Sequence, residues 1–290
     1  MRAVTPERLP EYRVKARNTP AHAENKIHDD AVARQYGFRG GLVPGVTVYA
    51  YLTHPLVEAF GAAWLERGTA EVRFVRPVLD GEEVTVSGTV TARDARAVRA
   101  SLVASTAAEG ACATLTATLP AGTPVPVNLA LYPAAPLPAE RAPATRAHLG
   151  ALTTLGTPVN AYDDSRAAEY LEKVSDTLPL YRGRAAWVHP GYFLDQANRA
   201  LDRNLTLGPW IHVGSTVRHL GGARVGETLA TRGRVRSLFE KKGREFVELD
   251  LVIVTGAGAR PVAHARHTAI YGLPAPGARG APVDSPAPAC

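Results

Sequence analysis

The sequence predicts an α+β fold built from two tandem copies of one unit, a buried helix followed by antiparallel strands. Three observations carry this. The segment Val46-Thr47-Val48-Tyr49-Ala50-Tyr51-Leu52, continuing through Leu56-Val57 and Ala59-Phe60, is apolar at nearly every position, as a helix enclosed on all sides must be. Alternating apolar runs follow it with turn signals between them, the pattern of antiparallel strands. The arrangement then recurs: Val72-Arg73 and Gly81-Glu82 return as Val217-Arg218 and Gly226-Glu227, each displaced by 145 residues.

In chain order, residues 11–16 read as a short first strand. Residues 30–36 predict one or two helical turns, with Asp30 as cap and Gly37 as stop. The corner Val43-Pro44-Gly45 starts the buried helix. Strands follow at 69–78 and 82–92, then a hairpin of 97–106 and 111–119 around Glu109-Gly110. Beyond Pro120 the composition shifts to proline and alanine, which makes a stiff linker or a strap over a surface. The second copy opens at Val188-His189-Pro190-Gly191, one residue longer than the first corner, and its helix covers 192–201. Strands at 211–220, 227–237, 244–255 and 261–271 complete it, separated by turns at Gly221-Gly222, Lys241-Lys242-Gly243 and Gly256-Ala257-Gly258. The expected division is a first unit at 1–120, a linker at 121–149, a second unit at 150–273 and a disordered tail at 274–290.

A chain of 290 residues with 46% apolar content builds a proper core. No stretch approaches the ~20 apolar residues of a membrane span, and the N-terminus lacks the apolar core of a signal peptide, so the expected compartment is cytoplasmic. The net charge of +6 comes mostly from arginines scattered among acids, without the compact basic blocks of a nucleic-acid arm. Guanidinium forks at a pocket mouth suit phosphate groups. Cys112 and Cys290 are too few for a disulfide framework, and no spacing of Cys or His suggests a structural metal.

Chemistry concentrates in Glu24-Asn25-Lys26-Ile27-His28-Asp29-Asp30, a polar loop just ahead of the buried helix. A loop histidine titrates near 6.5, so His28 suits proton transfer near neutrality. Asn25 could orient a carbonyl or a water, or form an Asx turn. Asp29 and Asp30 read as cap and surface residues. The helix start at Gly45 presents N–H groups with no intrahelical partner, and these can hold a carbonyl oxygen on which negative charge develops. A tight corner requires the same glycine. Thr53 lies two turns further on, where a pocket hydroxyl and core packing both fit. In the second copy His189, Asp195 and His212 are polar residues in apolar surroundings, and His264 and His267 read as sheet-face residues.

The stretch from Asn25 to Gly45 resembles the hydratase signature of the MaoC-like family, (R)-specific enoyl-thioester hydratases and dehydratases with a hotdog fold. Asn25, Ile27, His28 and Asp30 stand in register with that motif, followed by Ala33, Gly41, Val43 and Gly45. Three positions differ: Lys26 replaces a proline, Pro44 replaces a histidine, and Ala23 stands where the family has its catalytic aspartate. The resemblance implies a double hotdog, two curved antiparallel sheets each wrapping a central helix and pairing through their sheets. It implies a hydro-lyase acting on 2-enoyl or 3-hydroxyacyl thioesters of coenzyme A or an acyl carrier protein, with no cofactor. The implied catalytic set is His28, Asn25 and Gly45, with Glu24 next to the missing acid. Val43, Pro44, Thr53 and His189 are the implied substrate-binding residues. His189-Pro190 followed by Asp195 is also similar to the second half of polyketide synthase dehydratase domains, which implies Asp195 as the acid serving His28. Two rivals stand beside this reading: a hotdog acyl-CoA thioesterase, and a non-catalytic acyl-thioester-binding protein. A homodimer and a monomer are both compatible with such a chain.

Overall fold

The computed structural model of the chain describes residues 7–19 and 24–273. Ala23 and the 274–290 tail lie outside these residues. The first half supplies β1 (Tyr12–Lys15), α1 (Asp30–Gln35), α2 (Gly45–Phe60), α3 (Ala62–Arg67), β2 (Thr69–Phe74), β3 (Glu83–Arg93), β4 (Ala97–Thr106) and β5 (Gly110–Pro120). After these come β6 (Ala142–Pro143), α4 (Arg146–Ala151), β7 (Val159–Ala161), α5 (Asp164–Val174), α6 (Pro190–Asp202) and β8 (Leu205–Thr206). The chain closes with β9 (Ile211–His219), β10 (Thr228–Lys241), β11 (Arg244–Thr255) and β12 (Arg260–Gly272).

The two expected sheets are halves of one. Ten strands run in the order β1-β3-β4-β5-β2-β9-β12-β11-β10-β7, with every neighbouring pair antiparallel. The halves join where β2 pairs with β9, and the central pair of that ladder is Glu71 with Thr216. These residues are 145 apart, so the displacement seen in the sequence is the local two-fold relation of the structure. β6 and β8 form a separate parallel pair.

Why α2 carries no polar face is now visible. Every residue from Val46 to Val57 is buried, enclosed by the first-half strands and by α6. The closest approach of the two helices is set by small residues. A Cβ on Gly191 would lie 2.7 Å from the Cβ of Ala50 and 2.6 Å from the hydroxyl of Tyr170, closer than atoms pack. One main core runs continuously through both halves.

Three local expectations change. Asp29, not Asp30, caps α1 by accepting from Val32 N–H at 3.0 Å, because Asp30 opens the helix itself. α5 occupies a stretch for which no element was expected. Asp163 caps it, and Ala167, Tyr170, Leu171 and Val174 form its buried stripe. His264 and His267, three apart on β12, point to opposite faces of the sheet. His267 enters the core, whereas His264 meets Asp250 at 2.8 Å on the outer side, where Tyr132 of the proline-rich segment donates to the same carboxylate at 3.1 Å. That segment therefore lies over the outer face of the second half, with Tyr132 packed on Val252 and Val254.

Candidate active site

The site forms where the start of α2 meets the loop ahead of α1 and the start of β9. No side chain caps α2. The Thr47 and Val48 N–H groups return to the Pro44 carbonyl at 2.9 and 3.1 Å. The N–H groups of Gly45 and Val46 have no hydrogen-bond partner among the described residues, so the positive end of the helix is open. It faces a cavity of about 720 Å³, counted to its open mouth, with walls that include Ile27, Phe38, Leu42, Val48, Phe74, Val78 and Trp210.

The loop is shaped by its own polar side chains. Asn25 accepts from Ile27 N–H at 3.3 Å and so caps a single 3-10 turn, Lys26–His28. Asp30 accepts from Gly41 N–H at 2.8 Å, and Asn18 donates to the His28 carbonyl at 2.7 Å. Across the halves, the Asn25 side chain pairs with the Trp210 backbone in both directions, donating at 3.0 Å and accepting at 3.2 Å. The loop is thereby docked onto the second half.

His28 is held in one tautomer by this arrangement. Its Nδ1 lies 2.6 Å from the Leu42 carbonyl, an acceptor, so the proton sits on Nδ1 and Nε2 carries a lone pair. His28 lines the cavity, and Asn25 Nδ2 approaches its Nε2 at 3.4 Å. Burial lowers the His28 pKa, the Leu42 bond opposes this, and the Lys173 ammonium lowers it further. Neutral, singly oriented and facing a cavity, His28 has the attributes of a general base.

Gly45 is fixed from the far side. A Cβ there would lie 3.0 Å from His212 Nδ1 and 3.1 Å from the Phe74 ring, so a side chain at the corner would require both rings to give by a few tenths of an ångström. His212 belongs to a buried chain in which its Nε2 meets Ser215 Oγ at 2.8 Å and Ser215 Oγ meets His267 Nδ1 at 3.0 Å. Burial keeps both rings neutral, His212 well below its usual range and His267 at about 3.

Beyond His28 the cavity opens into a polar mouth lined by Glu24, Arg141, Lys173, Asp195, Arg199, Asp202 and Arg203. Asn25, His28, Pro44, Asn198 and Trp210 line both the chamber and the mouth, so the two adjoin at these residues. Asp195 is bound to Lys173 at 2.6 Å. Glu24 is exposed and paired with Arg141 at 3.0 Å. Burial raises Asp202 to about 6, against the pull of Arg199 and Arg203.

The structure brings together Asn25, His28, Val43, Pro44 and Gly45 around the chamber, with Glu24 and Asp195 in the mouth. Asp195 and His28 share the mouth but no hydrogen bond joins them, because Lys173 holds the carboxylate. Two expected substrate-binding residues are elsewhere. Thr53 is fully buried and donates to the Ala50 carbonyl at 2.8 Å, since its position on α2 faces the core. His189 is also fully buried. It caps α6 by accepting from Gly191 N–H at 3.0 Å, and its Nε2 meets Asp176 at 3.1 Å. Asn25, expected to touch substrate, has its amide engaged by Trp210 and His28. Sequence reasoning missed Lys173, Asn198, Arg199, Asp202 and Trp210. Residues 195, 198, 199 and 202 recur at i, i+3, i+4 and i+7 on a helix whose other faces are apolar, and that was the available signal.

No family model matches the chain, and no curated protein matches it by sequence. Solved structures do match. A Chloroflexus aurantiacus J-10-fl protein described as a MaoC domain dehydratase aligns with a TM-score of 0.63 at 12% identity, over 93% of this chain and 95% of its own. A conserved Mycobacterium tuberculosis protein described as having a double hotdog fold aligns at 0.56 and 17% identity, over 90% and 96%. The fold is a double hotdog. A Lactobacillus plantarum protein described as an oleoyl thioesterase shares it at a TM-score of 0.53 and 12% identity, over 93% and 98%. At these identities the likeness is one of fold. Within the double hotdog of this chain, the passage joins an apolar chamber, a neutral histidine and an open helix start to a mouth rich in arginine. No helix of the described residues is long and apolar enough to cross a membrane.

Proposed function

We propose that the protein acts on acyl thioesters, as a hydratase or dehydratase of 2-enoyl and 3-hydroxyacyl thioesters. The observation that carries this is His28: an imidazole with its lone pair on Nε2, beside the unpartnered N–H groups at the start of α2. The acyl chain fills the apolar chamber. The Gly45 N–H polarises the thioester carbonyl and stabilises the enolate as charge develops on oxygen. His28 Nε2 takes the proton from water as it adds to the β-carbon, and returns it in the reverse direction. Coenzyme A, or the phosphopantetheine arm of a carrier protein, runs out through the mouth.

A second reading, thioester hydrolysis, is favoured by one feature. His28 has no carboxylate partner among the described residues. A single base that activates one water suffices for hydrolysis, whereas hydration also needs an acid for the α-carbon. Asp195, in the mouth with His28, is the candidate for that acid. Ala23, in place of the usual aspartate, keeps binding without chemistry as a third outcome of the test.

The test is incubation with short, medium and long trans-2-enoyl-CoA thioesters, products followed by mass spectrometry, with His28→Ala in parallel. Gain of one water, lost in the variant, is the expected result. Free coenzyme A moves the assignment to hydrolysis. No turnover with any chain length removes the enoyl-CoA reading.

A further inference from the structure

His212 of β9 lines the chamber with Gly45 and Phe74, yet the chemistry above does not use it. It is 6% exposed, and its Nδ1 is buried without a hydrogen-bond partner. The far side of the ring decides what Nδ1 carries. Nε2 lies 2.8 Å from Ser215 Oγ, which lies 3.0 Å from His267 Nδ1 and has no other partner among the described residues. A hydroxyl has one proton, so Ser215 donates to one ring and accepts from the other. Burial keeps both rings neutral; at His212 the Gly214 carbonyl opposes this, without reaching Nδ1 in hydrogen-bond geometry. Each neutral ring has one N–H. Of the two outer nitrogens, His212 Nδ1 and His267 Nε2, one therefore carries a proton and the other a lone pair. Neither has a partner in the protein, and a stranded buried N–H is the rarer of the two conditions. His267 is fully buried away from the chamber, whereas His212 lines it. The proton belongs on His212 Nδ1, where a ligand can accept it.

The same ring is held against the open helix start. A Cβ on Gly45 would lie 3.0 Å from His212 Nδ1. Adding one Cα–Cβ and one N–Cα bond puts the Gly45 nitrogen within about 6 Å of Nδ1. A single oxygen about 2.9 Å from each nitrogen can then bond both, and a thioester carbonyl oxygen has the two lone pairs this needs. We infer that His212 is a catalytic residue, its Nδ1–H donating to the thioester carbonyl oxygen beside the Gly45 N–H. This rests on the acyl-thioester reading above. No proton is transferred at this step: a neutral imidazole is a weak acid, so it lends a hydrogen bond to the developing charge and keeps its proton. The site is then shared between halves: the first gives the base and a backbone donor, and the second gives a side-chain donor from the strand that joins them. A donor aimed at developing charge strengthens as the carbonyl becomes an enolate or tetrahedral oxyanion, so it acts on kcat more than on KM.

Two measurements on the full chain test this. In protein labelled with nitrogen-15 at histidine, long-range nitrogen–proton NMR reads the His212 tautomer, with His212→Phe assigning the signals. The expected result is a proton on Nδ1; a proton on Nε2 overturns the inference. The second measurement uses the analogue of hexanoyl-CoA in which a methylene replaces the thioester sulfur, so that neither hydration nor hydrolysis consumes it. Carbon-13 at its carbonyl is followed by isotope-edited infrared spectroscopy, and binding by calorimetry. The stretch is expected to fall on binding to wild type and to recover much of its free value in His212→Phe, which keeps a ring and loses the donor. Affinity stays within a few-fold, and kcat falls about 100-fold on whichever thioester is turned over. Ser215→Ala leaves the His212 ring in place and frees its tautomer, so part of the shift should be lost there too, whether or not His212→Phe folds. A stretch unchanged from wild type in the folded variants, with the analogue bound, overturns the inference and leaves the thioester reading standing. Failure of wild type to bind any of the short, medium or long acyl-CoA thioesters overturns both.

Discussion

At the start of α2, Pro44 precedes the helix with no side chain over it, and the Gly45 N–H opens into the chamber beside His28. At the start of α6 the backbone turns the same corner, but His189 reaches over and takes the Gly191 N–H itself. Gly191 is pressed onto Ala50, and α5 fills the side where the first half keeps its polar loop. One corner leaves its donors free, and the other satisfies them internally. The duplication therefore did not produce two sites. It gave one open corner and one closed corner that braces it, since the closed helix packs along the open one.

The largest expected effect removes what only the open corner has. His28→Ala is expected to lower turnover of the responsive thioester about 100- to 10,000-fold, the usual range for a positioned general base. The fold is expected to survive, because the side chain is half-buried in a loop. The equivalent region of the second half has no histidine to take over, so a residual rate within a few-fold of wild type would show that the open corner is not where proton transfer occurs. Steady-state kinetics with circular dichroism on the same samples decides it.

Next in size is the closed corner. Asp176 is nearly inaccessible and lies between His189, at 3.1 Å, and His54 of α2, in ion-pair range at 3.0 Å though outside hydrogen-bond geometry. Burial pushes its pKa up, but the contacts from the two imidazoles outweigh this and hold it well below the carboxylate range. Asp176→Ala leaves both histidines without their partner and is expected to cost about 3 kcal/mol in urea unfolding. The sign of the pH effect follows. A carboxyl depressed in the folded state gives stability that is present above its unfolded value near 3.9 and is lost as pH falls below it. The stability difference between wild type and variant should therefore shrink as unfolding is measured at progressively lower pH below about 4. A difference that does not shrink would mean that the carboxylate charge is not what binds the two helices.

Gly191→Ala asks how far the brace can give. The added Cβ meets Ala50 at 2.7 Å, so α6 must move off α2, at a cost of about 1–3 kcal/mol by the usual range for overpacked cores. Because α6 lines the chamber and the mouth through Asn198 and Arg199, a loss of kcat at low temperature, where the fold is intact, should accompany the movement.

Much of this was legible in the sequence, and the reasons are physical. The buried helix announced itself because an element enclosed on all sides has no need of polar residues, and its bounds at Gly45 and Phe60 follow from the corner and the last apolar residue. The repeat of 145 was legible because both halves keep the same strand residues at the joining ladder. The loop with His28 stood out as polar chemistry beside an apolar run. What the sequence does not carry is pairing across the halves. Asn25 of the first half ends on the backbone of Trp210 in the second, and even within the second half Lys173 of α5 ends on Asp195 of α6, through distances in space that no local pattern encodes. His189 misled for a related reason. A histidine before Pro-Gly can cap a helix or face a ligand, and only the presence of Asp176 and Tyr181 around it decides between them.

The smallest expected effect probes the meeting of the halves. His28 must be neutral to accept a proton, so the acid limb of kcat/KM should fall below the ordinary histidine value of about 6.5, because burial and Lys173 both lower its pKa. The charges that line the mouth facing it are Glu24, Asp195 and Asp202 on one side of the balance and Arg141, Lys173, Arg199 and Arg203 on the other. Lys173→Met removes the one cation identified as acting on His28 and frees the Asp195 carboxylate, so two changes of the same sign raise the His28 pKa. The acid limb is expected to move upward by a fraction of a unit to about one unit. Asp195→Asn does the reverse: it leaves the ammonium uncompensated and should move the limb down. Opposite shifts from the two partners of one ion pair identify an electrostatic link between second-half charges and a first-half base. Shifts in the same direction would point instead to a loss of local structure in the mouth, and would separate the chemistry of the open corner from the half that braces it.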